Sequence, residues 1–331
     1  MDVDVEFNSS AEYTGRGIIE ASVAAEEHGF SGVWKGEANS KDPIVLLSAL
    51  AERTESVDLG TAIVHPYSKT PTMAAEVAAT LNDVSDNRFV LGIGAGTPAI
   101  ASWHGKEMYS SPLTSVEEYI TIVREILETG SADYDGEYFG ADNFNLAFDP
   151  VPDQRIYLGA LGPKMSTMAG RLADGVIGNN APPEHIAKVR ENAREGAKEA
   201  GKDPDDLDIT CKIRVAYADD YEDAREPLTK VATFYSLADF YSRMFADLGF
   251  EDEIDAVNEA YDAGGFHEAR KQITDEMLET LPFVPATSPE TVEERLAGYE
   301  EIGVDRVIIC YVPTTDDPVE EGVEFVRELA P

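Results

Sequence analysis

Short runs of β-branched and apolar residues alternate with longer segments of helical periodicity along nearly the whole chain. Strand patterns fall at 3–7, 32–35, 57–64, 88–93, 155–158, 175–178, 208–217 and 306–311. Helix signals separate them. Gly29 closes a helix over 17–28, Asp42-Pro43 opens one that runs to Glu52, and Thr70-Pro71 opens one that runs to Val84. Ser115 with Glu118 reads as a capping box ahead of 119–127, and further helices are predicted over 163–173, 183–200, 289–302 and 318–329.

Strands and helices in strict alternation predict the α/β class with a parallel sheet, and eight strands is the number that closes a (β/α)8 TIM barrel. The alternative is an open doubly wound sheet. It would carry a G-x-G-x-x-G turn directly after its first strand, where this chain has Asn8-Ser9-Ser10-Ala11. Two stretches exceed a simple βα unit and read as insertions. One, 95–151, follows strand four and carries a helix and a turn-rich 134–145 segment; the other, 221–285, lies between strands seven and eight and is helical and rich in aromatics. No Ser- or Gly-rich linker brackets either, so residues 1–331 are expected to form a single domain.

Charge adds a second constraint. The chain carries 26 Lys and Arg against 64 Asp and Glu, a net charge of −38, which excludes a nucleic-acid partner held through phosphates. The acids cluster between apolar periods, as in Tyr221-Glu222-Asp223 and Glu251-Asp252-Glu253, and so form a solvated shell around an ordinary core. Such a shell tolerates molar salt, where screening shortens to ~3 Å, so the composition predicts a halophilic protein; an ordinary acidic cytosolic protein is the alternative. Cys211 and Cys310 each sit inside an apolar run and are expected to be buried free thiols in a reducing cytoplasm. The Met1-Asp2-Val3-Asp4 start has no basic or apolar leader, and no stretch approaches a spanning length, so a cytoplasmic protein without a membrane partner is expected.

In a barrel, chemistry gathers at the C-terminal ends of the strands. Those positions hold Glu6, Glu37, His65, Thr97, the loop Gly159-Ala160-Leu161-Gly162-Pro163-Lys164-Met165, then Asn179, Asn180 and Tyr217. The loop opens a helix and reads as an anion cradle of free amides, with the Ser166 and Thr167 hydroxyls as added donors; a loop that merely turns is the competing reading. Gly92, Gly94 and Gly96 alternate at the end of strand four, where a flat ring could approach the backbone. Glu6 stands between Val5 and Phe7 and points into the mouth, where desolvation is expected to raise its pKa toward that of a general acid. His104 beside Trp103 is a second histidine candidate after His65. Five scattered histidines without an H-E-x-x-H pair predict no catalytic metal. Carboxylates and glycine loops without a metal or nucleophile point to an organic cofactor.

These residues also carry a family resemblance. Leu59-Gly60-Thr61-Ala62-Ile63-Val64-His65-Pro66-Tyr67, Phe89-Val90-Leu91-Gly92-Ile93-Gly94-Ala95-Gly96, Tyr157-Leu158-Gly159-Ala160-Leu161-Gly162-Pro163 and Ala169-Gly170-Arg171-Leu172-Ala173-Asp174-Gly175-Val176-Ile177 resemble segments of the F420-dependent methylenetetrahydromethanopterin reductases. That family lies within the bacterial-luciferase-like flavin and deazaflavin superfamily. The resemblance implies a luciferase-like barrel, coenzyme F420 as cofactor and a pterin substrate carried on tetrahydrofolate or tetrahydromethanopterin, the halophilic reading favouring folate. It implies that 159–165 binds the coenzyme phosphate and that Glu37, His65, Gly94, Gly96, Thr97 and Asn179 line the cofactor. Ala62 and Ile63 would form a bulge behind the ring, with a non-prolyl cis peptide at or next to them. Glu6 matches the glutamate that manages the proton at the pterin.

Two departures stand out: Glu37-Ala38 replaces the Asp-His of related enzymes, and Thr97 replaces an acidic residue. The resemblance further implies a homo-oligomer, a dimer or tetramer, with Ile44, Leu47 and Ala51 as candidates for an outer face. Rival readings are a luciferase-like monooxygenase using FMN, another F420-dependent dehydrogenase, and a non-catalytic flavin-binding homologue.

Overall fold

Eight parallel strands form a closed ring: β1 (Asp2–Phe7), β2 (Gly32–Lys35), β3 (Asp58–Thr61), β4 (Phe89–Ile93), β5 (Arg155–Gly159), β6 (Gly175–Asn179), β7 (Asp208–Tyr217) and β8 (Arg306–Tyr311). β8 lies between β1 and β7, and β6 pairs with β7 to complete the circle. This is the expected (β/α)8 barrel. The computed structural model describes residues 1–7, 13–150 and 153–331; the 8–11 segment invoked against an open sheet lies outside the described residues.

Seven strand readings hold to within two residues, and the third is shorter than the predicted 57–64. Regular pairing ends at Thr61, and the Ala62–Ile63 peptide that follows is cis, at the position the resemblance implied. The chain still finds partners around this bulge. Ala62 N–H donates to Lys35 O, Glu37 N–H to Ile63 O, and Val64 N–H to Gly92 O at 2.8 Å.

Helices flank the ring, and their starts follow local chemistry. Pro43–Ala51 and Pro71–Val84 each begin with proline, with Asp42 accepting from Ile44 and Val45 N–H, and Thr70 from Met73 N–H. Leu47 and Ala51 are buried against the barrel, while Val45 faces outward at 69% exposure. The capping-box reading at Ser115 is corrected: the helix is Pro112–Thr129, and Ser111 is its cap. Pro112 fixes the first helical turn, so Ser115 is inside the helix and donates to Pro112 O. Glu118 instead accepts the backbone N–H groups of Glu137, Tyr138 and Phe139 at 2.7, 2.8 and 3.0 Å.

The first insertion holds the short Pro98–Trp103 helix and an antiparallel ribbon, Ser131–Asp135 with Gly140–Asn145, where only turns were predicted. A register shift between Ala132 and Tyr134 breaks the alternation that would have revealed it. The second insertion carries the helices Tyr221–Ser236, Asp239–Phe245, Glu251–Gly264, Phe266–Arg270 and Asp275–Thr280. It ends in a strand, Phe283–Ala286, read in sequence as the tail of a helical stretch. Four residues containing a proline give little strand signal. This strand pairs with Arg214–Tyr217 of β7, whose other edge holds Cys310 and Tyr311 through Arg214 and Val215, so it takes over the edge that β6 leaves at Lys212.

The barrel interior is a packed core. Trp34, Ala62, Val90, Tyr157, Ile177, Ile308 and Cys310 fill it. Glycine is required opposite the largest of these, because a Cβ on Gly60 would lie 2.1 Å from the Trp34 ring. At the N-terminal end Arg306 closes the floor against Asp4 at 2.6 Å and Asp58 at 2.9 Å, and Trp34 Nε1 donates to Asp4 at 2.5 Å. Conserving charge pairs at this end serves stability, since the reactive end of such a barrel is the opposite one. Cys211 and Cys310 are buried and unpaired, as expected.

Candidate active site

Side-chain alternation decides what enters the mouth. On β1, Asp4 and Glu6 point inward; on β7, Thr210, Lys212 and Arg214 alternate with apolar Cys211, Ile213 and Val215; on β8, Cys310 faces the same space. Glu6 Oε2 lies 2.6 Å from Lys212 Nζ and accepts the Cys310 thiol at 3.2 Å, while Oε1 accepts Gly36 N–H at 2.9 Å. Lys212 also donates to the carbonyl of Ala62 at 2.7 Å, which ties the pair to the cis bulge.

The expectation of a raised Glu6 pKa is corrected. Burial pushes the carboxyl up, but Lys212, Arg214 and Lys35 outweigh it and hold it below the ordinary carboxylate range. Glu6 is therefore an ionised partner of an ammonium. Burial lifts the Cys310 thiol to about 12, so it stays protonated and donates. Lys35 is fully buried with Nζ 3.3 Å from Phe7 O, and burial lowers it to about 8.

Beside this pair, Asn179 Nδ2 donates to the Tyr241 hydroxyl at 2.7 Å, and Arg214 donates to the Tyr235 hydroxyl at 3.0 Å and to Asn179 Oδ1 at 3.4 Å. Tyr235 and Tyr241 come from the second insertion, so the helices between β7 and β8 supply a wall of the mouth. Burial raises the Tyr235 phenol, but Arg214, Asn179 and Lys212 together outweigh it and leave it below its ordinary value. None of Lys35, Lys212, Arg214, Tyr235 and Tyr241 was singled out in the sequence. The polar residues at every second position of β7 were the available signal for two of them.

The 159–165 turn is built as expected from its glycines. Gly162 is the N-cap of Pro163–Leu172 and offers no side-chain cap, and Pro163 and Lys164 are exposed. The first-turn amides of Lys164 and Met165 therefore face outward without an intrahelical acceptor. Ser166 and Thr167 are corrected: their hydroxyls donate to Gly162 O at 2.9 Å and Pro163 O at 3.0 Å, so they brace the turn from within. Ala160 is buried with its N–H on Ile177 O, and Leu161 O receives His185.

Gly94 and Gly159 leave room for a neighbouring side chain. Added Cβ atoms on them would lie 3.0 Å from Ile63 Cδ1 and 3.3 Å from Ile63 Cγ2, so the Ile63 side chain occupies the hollow between the two. Gly96 has φ +69°, and Thr97 is exposed and caps the Pro98–Trp103 helix through Ile100 N–H. Glu37 has both oxygens engaged, by Lys69 at 2.5 Å, Ser68 at 2.8 Å and His65 N–H at 3.1 Å, and so ties down the 65–69 turn. The His65 ring is fully buried rather than displayed at the rim. It packs 4.9 Å from His104, and burial lowers its pKa against the pull of Glu37, leaving a neutral imidazole.

Comparison with known proteins places the chain among relatives of the same fold. The sequence profile of the family described as Luciferase-like monooxygenase matches residues 5–306. A 5,10-methylenetetrahydromethanopterin reductase of Archaeoglobus fulgidus is 31% identical over 291 residues, covering 86% of each chain. An F420-dependent glucose-6-phosphate dehydrogenase of Mycolicibacterium gilvum is 30% identical over 245 residues, covering 68% of this chain and 72% of that protein. Among solved structures, the coenzyme F420 dependent tetrahydromethanopterin reductase from Methanopyrus kandleri superposes with a TM-score of 0.83 at 24% identity, covering 99% of each chain. Among the described residues, no helix is long and apolar enough to cross a membrane.

Proposed function

The chain belongs to the luciferase-like monooxygenase family, and from that premise we propose that it is an F420-dependent oxidoreductase that reduces a 5,10-methylenetetrahydropterin to its 5-methyl form. The observation that carries this reading is the presence, at one end of one barrel, of a donor-lined anion cradle and a buried carboxylate–ammonium pair. The relatives' names support the choice of cofactor and substrate class.

The residues fit the coenzyme. The uncapped amides at Lys164 and Met165 would take its phosphate, and Ile63, held between Gly94 and Gly159, would back its ring. When bound, reduced F420 supplies a hydride. The chain's own contribution is at the proton. Opening the methylene-bridged ring requires a proton on the departing nitrogen, and the pair Lys212 Nζ with Glu6 Oε2 keeps one at the floor of the mouth. Cys310 and Gly36 orient the carboxylate, and Ala62 O orients the ammonium, so the proton is presented from a fixed position.

The test is an anaerobic assay of F420 absorbance in molar potassium chloride with methylene-tetrahydrofolate and with methylene-tetrahydromethanopterin. Bleaching or its reversal with either carrier is the expected result. Tight binding of FMN without binding of F420 would overturn the proposal. Glu6→Gln should lower turnover at least about tenfold while F420 affinity stays within about twofold of wild type.

A further inference from the structure

Arg214 is out of balance with its surroundings. Arg306 and Arg155 are each paired with aspartates at the barrel floor, yet among the described residues Arg214 has no carboxylate within ion-pair distance. Its Nη2 is spent on Tyr235 and Asn179, and its Nη1 is buried with no partner. Nearby, Glu6 is already matched by Lys212, so the mouth holds an excess cation in a chain of net charge −38. A buried donor left unpaired costs free energy, and a buried charge costs more.

The hydroxyls beside it add to this excess. Tyr235 Oη accepts from Arg214, and Tyr241 Oη accepts from Asn179, so each phenol has its own hydrogen to give. The two rings lie 4.7 Å apart edge to face, and Asn179 links them to the guanidinium, its Oδ1 accepting from Arg214 and its Nδ2 donating to Tyr241. The cluster thus offers donors and almost no acceptor. Its complement is an acceptor-only group carrying negative charge.

We propose that Arg214, with the Tyr235 and Tyr241 hydroxyls, is a subsite for an anionic oxygen at the edge of a flat heterocycle bound in the mouth. Two ligands of the proposed reaction bear such an edge, the deazaflavin and the pterin. The subsite itself stands on the geometry of the cluster and on no choice between them. Asn179 is a positioning residue, because it reaches the ligand through Tyr241.

The test measures the affinity of F420, and separately of a 5-methyl-tetrahydropterin, for the wild-type chain and for Arg214→Met. The expected result is a loss of at least about tenfold for one ligand with an unchanged melting temperature, and the ligand affected identifies the source of the oxygen. Affinities for both ligands within about twofold of wild type would overturn the subsite. Should Arg214→Met fail to fold, the double variant Tyr235→Phe/Tyr241→Phe keeps the guanidinium and removes both hydroxyls. A weakening of about threefold or more then supports the proposal, and no change overturns it. If wild type binds neither ligand, the reductase reading fails by itself, and crystals of the ligand-free chain soaked in sodium bromide decide the subsite. An anomalous peak within hydrogen-bond distance of Nη1 supports it, and an empty map there overturns it.

Discussion

Glu6 on β1 and Lys212 on β7 meet at 2.6 Å across the barrel mouth, and this contact fixes the ionisation of both. Lys212→Met removes the strongest opposition to the burial of Glu6. The carboxyl should then rise toward the neutral range, and the acidic limb of the rate profile should move to higher pH by about one unit or more. A carboxylate left behind in the mouth should also cost about 3 kcal/mol in urea melts. A pH profile identical to wild type would mean that another cation governs Glu6.

Gly92 in β4 and Gly94 just beyond its end should respond differently to the same change. A Cβ on Gly92 would lie 1.9 Å from the carbonyl oxygen of Thr61, a backbone atom held close because Gly92 N–H donates to the Thr61 hydroxyl, so Gly92→Ala should not yield folded protein. A Cβ on Gly94 meets only the Ile63 side chain at 3.0 Å, which can shift. Gly94→Ala should therefore fold, losing about 1–3 kcal/mol, and should weaken F420 binding because Ile63 is pushed toward the ring site. Thermal melts and a fluorescence titration of the coenzyme check both halves; unaltered F420 affinity in Gly94→Ala would remove Ile63 from the site.

The barrel was legible because each strand is a short apolar run and each helix after it opens at a proline or a cap such as Asp42-Pro43 or Thr70-Pro71. The glycine turn at 159–165 and Glu6 were legible as candidate site positions for the same reason, since both lie where a strand ends. The sign of the Glu6 shift was not, because it depends on Lys212 and Arg214, more than two hundred residues away. Their alternation along β7 is visible in the sequence, but a ten-residue strand gives no sign of where its mouth begins. Tyr235 and Tyr241 are beyond any local pattern, since only the packing of an inserted helix over the barrel brings them to Arg214. At Ser115 the failure was local: Ser111-Pro112, with its cap four residues earlier, is the stronger start.

The floor of the barrel makes a pH prediction of opposite sense to ordinary acid unfolding. Burial raises Asp4 from 3.8 to about 6 against the pull of Arg306. Between those values the folded chain holds this proton more tightly than the unfolded chain. The site's contribution to stability is thus fully present below about 3.8 and is lost as pH rises through about 6. Asp4→Asn cannot ionise, so its stability should fall less steeply with pH across that window, by up to about 3 kcal/mol. Urea melts of both proteins at several pH values check the slope; parallel curves would show that Asp4 keeps an ordinary pKa.

The last prediction concerns the charge of the whole molecule. With 64 acidic residues against 26 Lys and Arg, most carboxylates have no cationic partner available, whatever the local geometry. Their mutual repulsion acts over a Debye length of about 10 Å in 0.1 M salt and about 3 Å in 1 M salt. Neighbouring surface carboxylates repel strongly in the first case and weakly in the second, while the buried pair of Glu6 and Lys212 is shielded from the ions by its surroundings. The melting temperature should therefore rise steadily as potassium chloride is raised from about 0.1 M to about 2 M, with most of the gain below about 1 M, where the screening length changes most. A melting temperature independent of salt over that range would identify an ordinary acidic protein whose shell is already tolerated at low ionic strength.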